Sequence, residues 1–142
     1  MPPTRLLYYR DTSGAVPVLA WLLELRRRNP LAFTKCLVKI RRLAALGYEI
    51  RRPESDLLRD GIYELRTHAG RVQYRILYFF HGRDLAILAH AITKEGRVPA
   101  VEIDRAVQRK RELERAPDRH TSDVGDFTRA QEERTQEESE ET

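Results

Sequence analysis

Gly61-Ile62-Tyr63-Glu64-Leu65-Arg66, Val72-Gln73-Tyr74-Arg75-Ile76-Leu77-Tyr78-Phe79-Phe80 and Leu85-Ala86-Ile87-Leu88-Ala89-His90 follow one another with only short breaks between them. Aromatic and aliphatic residues fill each run. The breaks, His68-Ala69-Gly70-Arg71 and His81-Gly82-Arg83-Asp84, carry turn residues, so the three runs read as consecutive strands of a meander. A cation stands in or just after each strand: Arg66, Arg75, then Lys94 and Arg97. Strand alternation sets Glu64, Arg66 and His68 on one face with Ile62, and Gln73 and Arg75 on one face with Leu77 and Phe79. In the third strand it groups His90 with Ala86, Leu88 and Ile92. Glu64, Arg66, Arg75 and His90 are thus free to face the same way.

Outward from the meander, Arg5-Leu6-Leu7-Tyr8-Tyr9 reads as a first strand, broken by Asp11 and Ser13-Gly14. Pro17 suits the first turn of a helix whose apolar face holds Val18, Trp21, Leu22 and Leu25. Arg26-Arg27-Arg28 lie in its last turn, where the helix dipole favours cations, and Asn29-Pro30 ends it. A second helix carries Phe33, Cys36, Leu37, Ile40, Leu43 and Ala44 at spacings of three and four, with Gly47 as its stop. Tyr48 to Asp60 shows no clean period and reads as a surface loop of the length that tends to be functional. Pro99 opens a last helix with the stripe Ile103, Ala106, Val107, Lys110, Leu113, closed by Pro117. The order β-α-α-β-β-β-α implies an α+β fold, a small antiparallel sheet packed with helices.

The 142 residues carry 26 Lys/Arg and 22 Asp/Glu, but the balance is uneven. Residues 1–115 hold 23 basic against 13 acidic side chains, and residues 116–142 hold 3 against 9. A body at +10 argues for a polyanionic partner, and the acidic end is a separate matter. We therefore divide the chain into a domain at 1–116 and an acidic tail at 117–142, where too few apolar residues remain to offset the entropy of folding. One expectation for the tail is that its glutamates lie over the basic site and compete with RNA; the plainer one is a solubilising segment. The single cysteine, Cys36, rules out an internal disulfide framework or a thiolate metal site. There is no continuous apolar signal segment and no run of 18 apolar residues, so a cytoplasmic protein without membrane contact is expected.

Arg66 and Arg75 suit a phosphate, and Glu64, His90 or Tyr78 can move protons. Together they would suffice for metal-free RNA cleavage by attack of a 2′-hydroxyl, which needs a base, cations around the pentavalent phosphate and a proton for the 5′-oxygen. No carboxylate cluster with metal-ligand spacing is evident, and no cofactor is expected. The same residues also admit a structural account, with Arg66 or Arg75 paired to Glu64 and His90 satisfied in the core.

The segments Gly61-Ile62-Tyr63-Glu64-Leu65-Arg66, Tyr74-Arg75-Ile76-Leu77-Tyr78 and His90-Ala91-Ile92-Thr93-Lys94, followed by Pro99-Ala100-Val101-Glu102-Ile103 and Ala106, resemble the RelE/ParE toxin superfamily, most closely its HigB-like, phage-derived branch. The resemblance covers roughly residues 5–113. It implies the toxin of a type II toxin–antitoxin system: a ribosome-dependent mRNA endonuclease that inhibits translation and is held inactive by an antitoxin, in this branch usually a separate helix-turn-helix repressor. Carried over by position, Arg75 matches the phosphate-binding arginine of the Tyr-Arg strand, and Arg66 matches the arginine of the strand before it. Lys94 fits the first lysine of the branch's Lys-Lys pair, Glu95 replaces the second, and Arg97 is the substitute for the missing charge. Glu64 stands where many ribonuclease members have lysine, and their tyrosine near the last helix is absent.

Beyond the catalytic set, Arg51, Arg52, Arg59 and Arg97 are the candidates for gripping RNA outside the scissile phosphate. Two other functions fit the same fold: a non-enzymatic gyrase-inhibiting toxin, and a phage-derived regulator that binds nucleic acid without cutting it.

Overall fold

β4 (Val72–His81) is the spine of the molecule, with every residue from Tyr74 to Phe79 buried. The computed structural model describes residues 4–93 and 96–123; Lys94, Glu95 and residues 124–142, including the glutamates of the tail, lie outside the described residues. β4 is flanked by β3 (Ile62–Ala69) and β5 (Leu85–Thr93), the expected meander; with β1 (Arg5–Tyr9), β2 (Ser55–Arg59) and β6 (Thr121–Asp123) they form a six-stranded sheet ordered β2-β3-β4-β5-β1-β6. β1 (Arg5–Tyr9) inserts beside β5 and runs parallel to it, and every other neighbouring pair is antiparallel. The architecture is α+β, as the element order implied.

Alternation along the strands builds two cores. One face, with Leu6, Tyr8, Leu65, Tyr74, Ile76, Tyr78 and Leu88, packs against α1 (Pro17–Arg28) and α2 (Pro30–Leu46). The other, with Leu7, Tyr9, Ile62, Leu77, Phe79, Ile87 and Ala89, packs against α3 (Ala100–Arg115) through Ala106, Val107 and Leu113. Asn29 joins the first two helices alone: its N–H caps the Leu25 carbonyl and its side chain accepts from the Ala32 N–H at 3.1 Å. Cys36 is buried, and burial pushes its thiol up to about 12, which makes it inert.

Three features depart from expectation. The segment read as a loop from Tyr48 to Asp60 supplies an edge strand, β2 (Ser55–Arg59), paired with β3. Its turn is Asp60-Gly61, both at positive φ (51° and 78°), the two-residue geometry that matches strand twist. That Asp-Gly pair was a legible hairpin signal. Secondly, Pro117–Asp123 is part of the folded body. A 3-10 turn at Pro117–Arg119 leads into β6 (Thr121–Asp123), which pairs with β1. His120 is buried, stacks on Tyr9 (centroids 5.6 Å apart) and donates from Nδ1 to the Arg10 carbonyl at 2.8 Å. Thirdly, β5 bulges at Ala89: Leu77 faces His90 while Tyr78 faces Leu88. The extra residue turns His90 to the α3 side, with Ile87 and Ala89 rather than with Ala86 and Leu88.

Because β6 and His120 seal the edge of β1, a chain truncated after Ala116 should unfold more easily than one truncated after Asp123. The expected difference is about 1–3 kcal/mol, from one stacked ring and a short strand ladder. Urea denaturation of the two truncated chains measures it; coincident midpoints would refute the role given to β6.

Candidate active site

Arg66 and Arg75 sit directly opposite each other in the β3–β4 ladder. Like charges in that relation destabilise a sheet unless something answers them. Glu64, two residues before Arg66 on the same face, supplies the answer: its Oε1 lies 3.2 Å from Arg66 Nε and 3.8 Å from Arg75 Nε. The Glu64 and Arg75 side chains are only 6% and 9% exposed, whereas that of Arg66 is 33% exposed. One carboxylate thus serves two guanidinium groups and leaves a positive charge unmatched. Both Nε atoms are buried without a hydrogen-bond partner among the described residues. A buried unmet donor costs about 1–3 kcal/mol, which an incoming anion can recover.

These three side chains line a cleft of about 590 Å3 beside the start of α3, completed by Arg59, Arg97, Asp56, Leu58, Gly96, Val98 and Ile103. Four arginines face two carboxylates in this lining, so the cleft is net cationic and suited to a phosphodiester. Arg59, at the rim, is paired with Asp60 at 2.9 Å and with Asp104 of α3. Among the described residues, no three His, Cys, Asp or Glu side chains converge as a metal-ligand set.

The fold gathers Glu64, Arg66, Arg75, Arg59 and Arg97 in the cleft, but not the other residues read from the sequence. Arg51 turns back onto the carbonyls of Tyr48 and Ile50. Arg52 pairs at 3.0 Å with Asp56, itself a cleft residue. Tyr78 is fully buried against Ser55, and burial pushes its phenol up to about 12. Lys94 lies outside the described residues.

His90 faces α3 and does not line the cleft. Its Nε2 meets Glu102, and its Nδ1 lies 3.1 Å from Arg109 Nη1. A guanidinium only donates, so Nδ1 accepts and Nε2 carries the proton given to Glu102. Arg109 also donates to the Ala89 carbonyl at 2.7 Å and rests 5.4 Å from the centre of the Tyr9 ring, whose hydroxyl binds Glu112. The network pins α3 onto the sheet. Burial lowers the His90 pKa, with Arg109 acting the same way and Glu102 opposing them, so the ring is neutral in the folded protein.

Sequence reasoning missed Asp56, Leu58, Val98 and Ile103 as cleft residues. The Asp60-Gly61 turn was the available signal for the first, since a hairpin closed there brings Asp56 opposite Glu64. Leu58 follows from the same hairpin as a residue of β2, whereas Val98 and Ile103 depend on where the chain runs between β5 and α3.

Because His90 titrates lower in the folded chain than its ordinary 6.5, the unfolded chain binds that proton first as pH falls. Its contribution to stability is complete above that ordinary value and is lost on acidification below it. The urea-unfolding free energy of the natural chain should therefore fall more steeply from pH 6.5 to about 5 than that of His90→Gln. Parallel slopes would refute the neutral, buried assignment.

No helix among the described residues is long and apolar enough to cross a membrane. No curated protein matches the chain. A family model described as phage derived protein Gp49-like (DUF891) matches residues 20–111, a span that contains every residue lining the cleft. That match covers well over half of the chain. The chain belongs to the Gp49-like phage-derived family, within the RelE/ParE-like toxin superfamily.

Proposed function

We propose that this protein is a HigB-like toxin of a type II toxin–antitoxin system: a metal-free endoribonuclease that cuts mRNA on the ribosome in the cytoplasm. Its cognate antitoxin is a helix-turn-helix protein. The observation that carries this reading is the Arg66–Arg75 pair, opposed across two strands around a single buried carboxylate, with unmet donors in a cationic cleft.

In the reaction, the 2′-oxygen of the substrate attacks the adjacent phosphorus, the bond to the 5′-oxygen breaks, and a 2′,3′-cyclic phosphate and a 5′-hydroxyl result. Glu64 accepts the 2′-hydroxyl proton, and the departing oxygen takes one from solvent. Arg75, held nearly immobile by burial, and Arg66 across from it bear the charge that grows on the non-bridging oxygens. Fixed donors need no reorganisation at the moment of reaction, and this is where such sites gain most. Arg59 and Arg97 hold the flanking backbone of the message.

Cell-free translation with primer extension on the message tests the reading. Wild type should cut the message only when ribosomes are present. Arg75→Ala should reduce cutting by about 100-fold or more, the usual cost of losing one donor to a developing oxyanion, and Arg75→Lys should keep only part of the activity. Intact message and running translation with wild type would overturn the enzyme assignment.

A further inference from the structure

A second concavity, of about 510 Å3, shares one wall with the cleft: Arg66 lines both. Its other sides are Lys35, Val38 and Lys39 of α2, Pro53 and Glu54 before β2, and the β3–β4 end at His68 and Gln73. It exists because β2 is short. β2 reaches only as far as Leu65, so beyond that point the outer edge of β3 has no neighbouring strand among the described residues. The Glu54 main-chain carbonyl accepts from the Arg66 N–H at 2.8 Å, and Lys35 Nζ donates to the His68 carbonyl at 3.2 Å. In an antiparallel ladder the N–H and C=O of one residue point to the same side, so the His68 N–H also faces the groove.

The charge of the groove is cationic on balance. Glu54, its one carboxylate, is occupied by Lys39 at 2.9 Å and by Arg42, and these partners hold it down to about 2, Arg42 foremost. Among the described residues Lys35 is bonded only to a main-chain oxygen, which leaves its charge available to an anion. Val38, itself 45% exposed, and Pro53 give the same groove an apolar wall. Its size falls within the roughly 300–1,000 Å3 typical of clefts for small organic ligands.

We propose that the groove between α2 and the free end of β3 is a second nucleotide subsite, in which Lys35, Arg66 and the His68 N–H take the phosphate adjoining the one held by Arg75, and Val38 and Pro53 support its base. The inference rests on the ribonuclease reading and extends it: the substrate is a single strand that turns around Arg66, with one nucleotide on either side.

Fluorescence anisotropy with a single-stranded hexaribonucleotide, 2′-O-methylated so that it is not cut, tests this on the full chain across a salt series. Lys35→Ala should weaken binding about 3- to 10-fold and lower the log–log salt slope by about 0.7, the loss of one phosphate contact on a single strand. Arg83→Ala, the same charge change in the β4–β5 turn at the other end of the sheet, should stay within about twofold of wild type. Equal losses in the two variants would reduce the effect to overall charge and overturn the subsite. Arg75→Ala weakening binding while Lys35→Ala does not would overturn the subsite and leave the ribonuclease reading standing. No binding by wild type would overturn the subsite, while ribosome-dependent cutting stands or falls on the translation assay. Loss of polyglutamate binding by Lys35→Ala, with RNA binding unchanged, would give the groove to an acidic polypeptide and overturn the nucleotide.

Discussion

Burial of β4 on both faces governs the rest of the molecule. A strand covered on one side by α1 and α2 and on the other by α3 has almost no position where a polar side chain escapes the interior. Tyr74, Ile76 and Tyr78 go to one core, and Leu77 and Phe79 go to the other. Arg75 falls on the α3 face, just past the point where that helix stops covering the sheet. The charge is therefore almost buried, yet borders open space.

The electrostatics follow from that placement. A buried charge without a partner is costly, and a partner that satisfied it fully would remove its use. Glu64 strikes the balance by serving two arginines at once, at 3.2 and 3.8 Å. The neighbouring His90–Glu102–Arg109 network is different in kind. There every ring nitrogen is engaged and the helix is tied to the bulge in β5, so the network gives position rather than chemistry. The two clusters share a sheet face and titratable residue types, and only their partners distinguish them.

Much of this was legible beforehand. Glu64 and Arg66 share a face because a strand has a period of two, and the apolar runs around them and around Arg75 read as strands. The helix stripes at Val18–Leu25, Phe33–Leu43 and Ile103–Leu113 were equally plain. One local signal, a turn, is present in the sequence, and one short strand has none. Asp60-Gly61 marks a hairpin, and with it comes β2 and the placement of Asp56 beside the cleft. Thr121–Asp123 join the sheet, with His120 stacked on Tyr9 beside them, although their composition resembles that of the acidic tail, because a short edge strand needs only backbone pairing and one aromatic contact.

The sequence by itself determined the class of fold, the side of each strand on which a residue lies up to the first irregularity, and the presence of paired cations in consecutive strands. These depend on periodicity and composition, which are local. Only the tertiary structure decided which of those cations share a cleft, that the bulge at Ala89 turns His90 toward α3, and that Arg66 stands between two concavities. Those outcomes depend on ladder register, on the length of an edge strand and on where a helix end stops covering a sheet. Each is settled by contacts between residues far apart in the chain, and no local pattern encodes it.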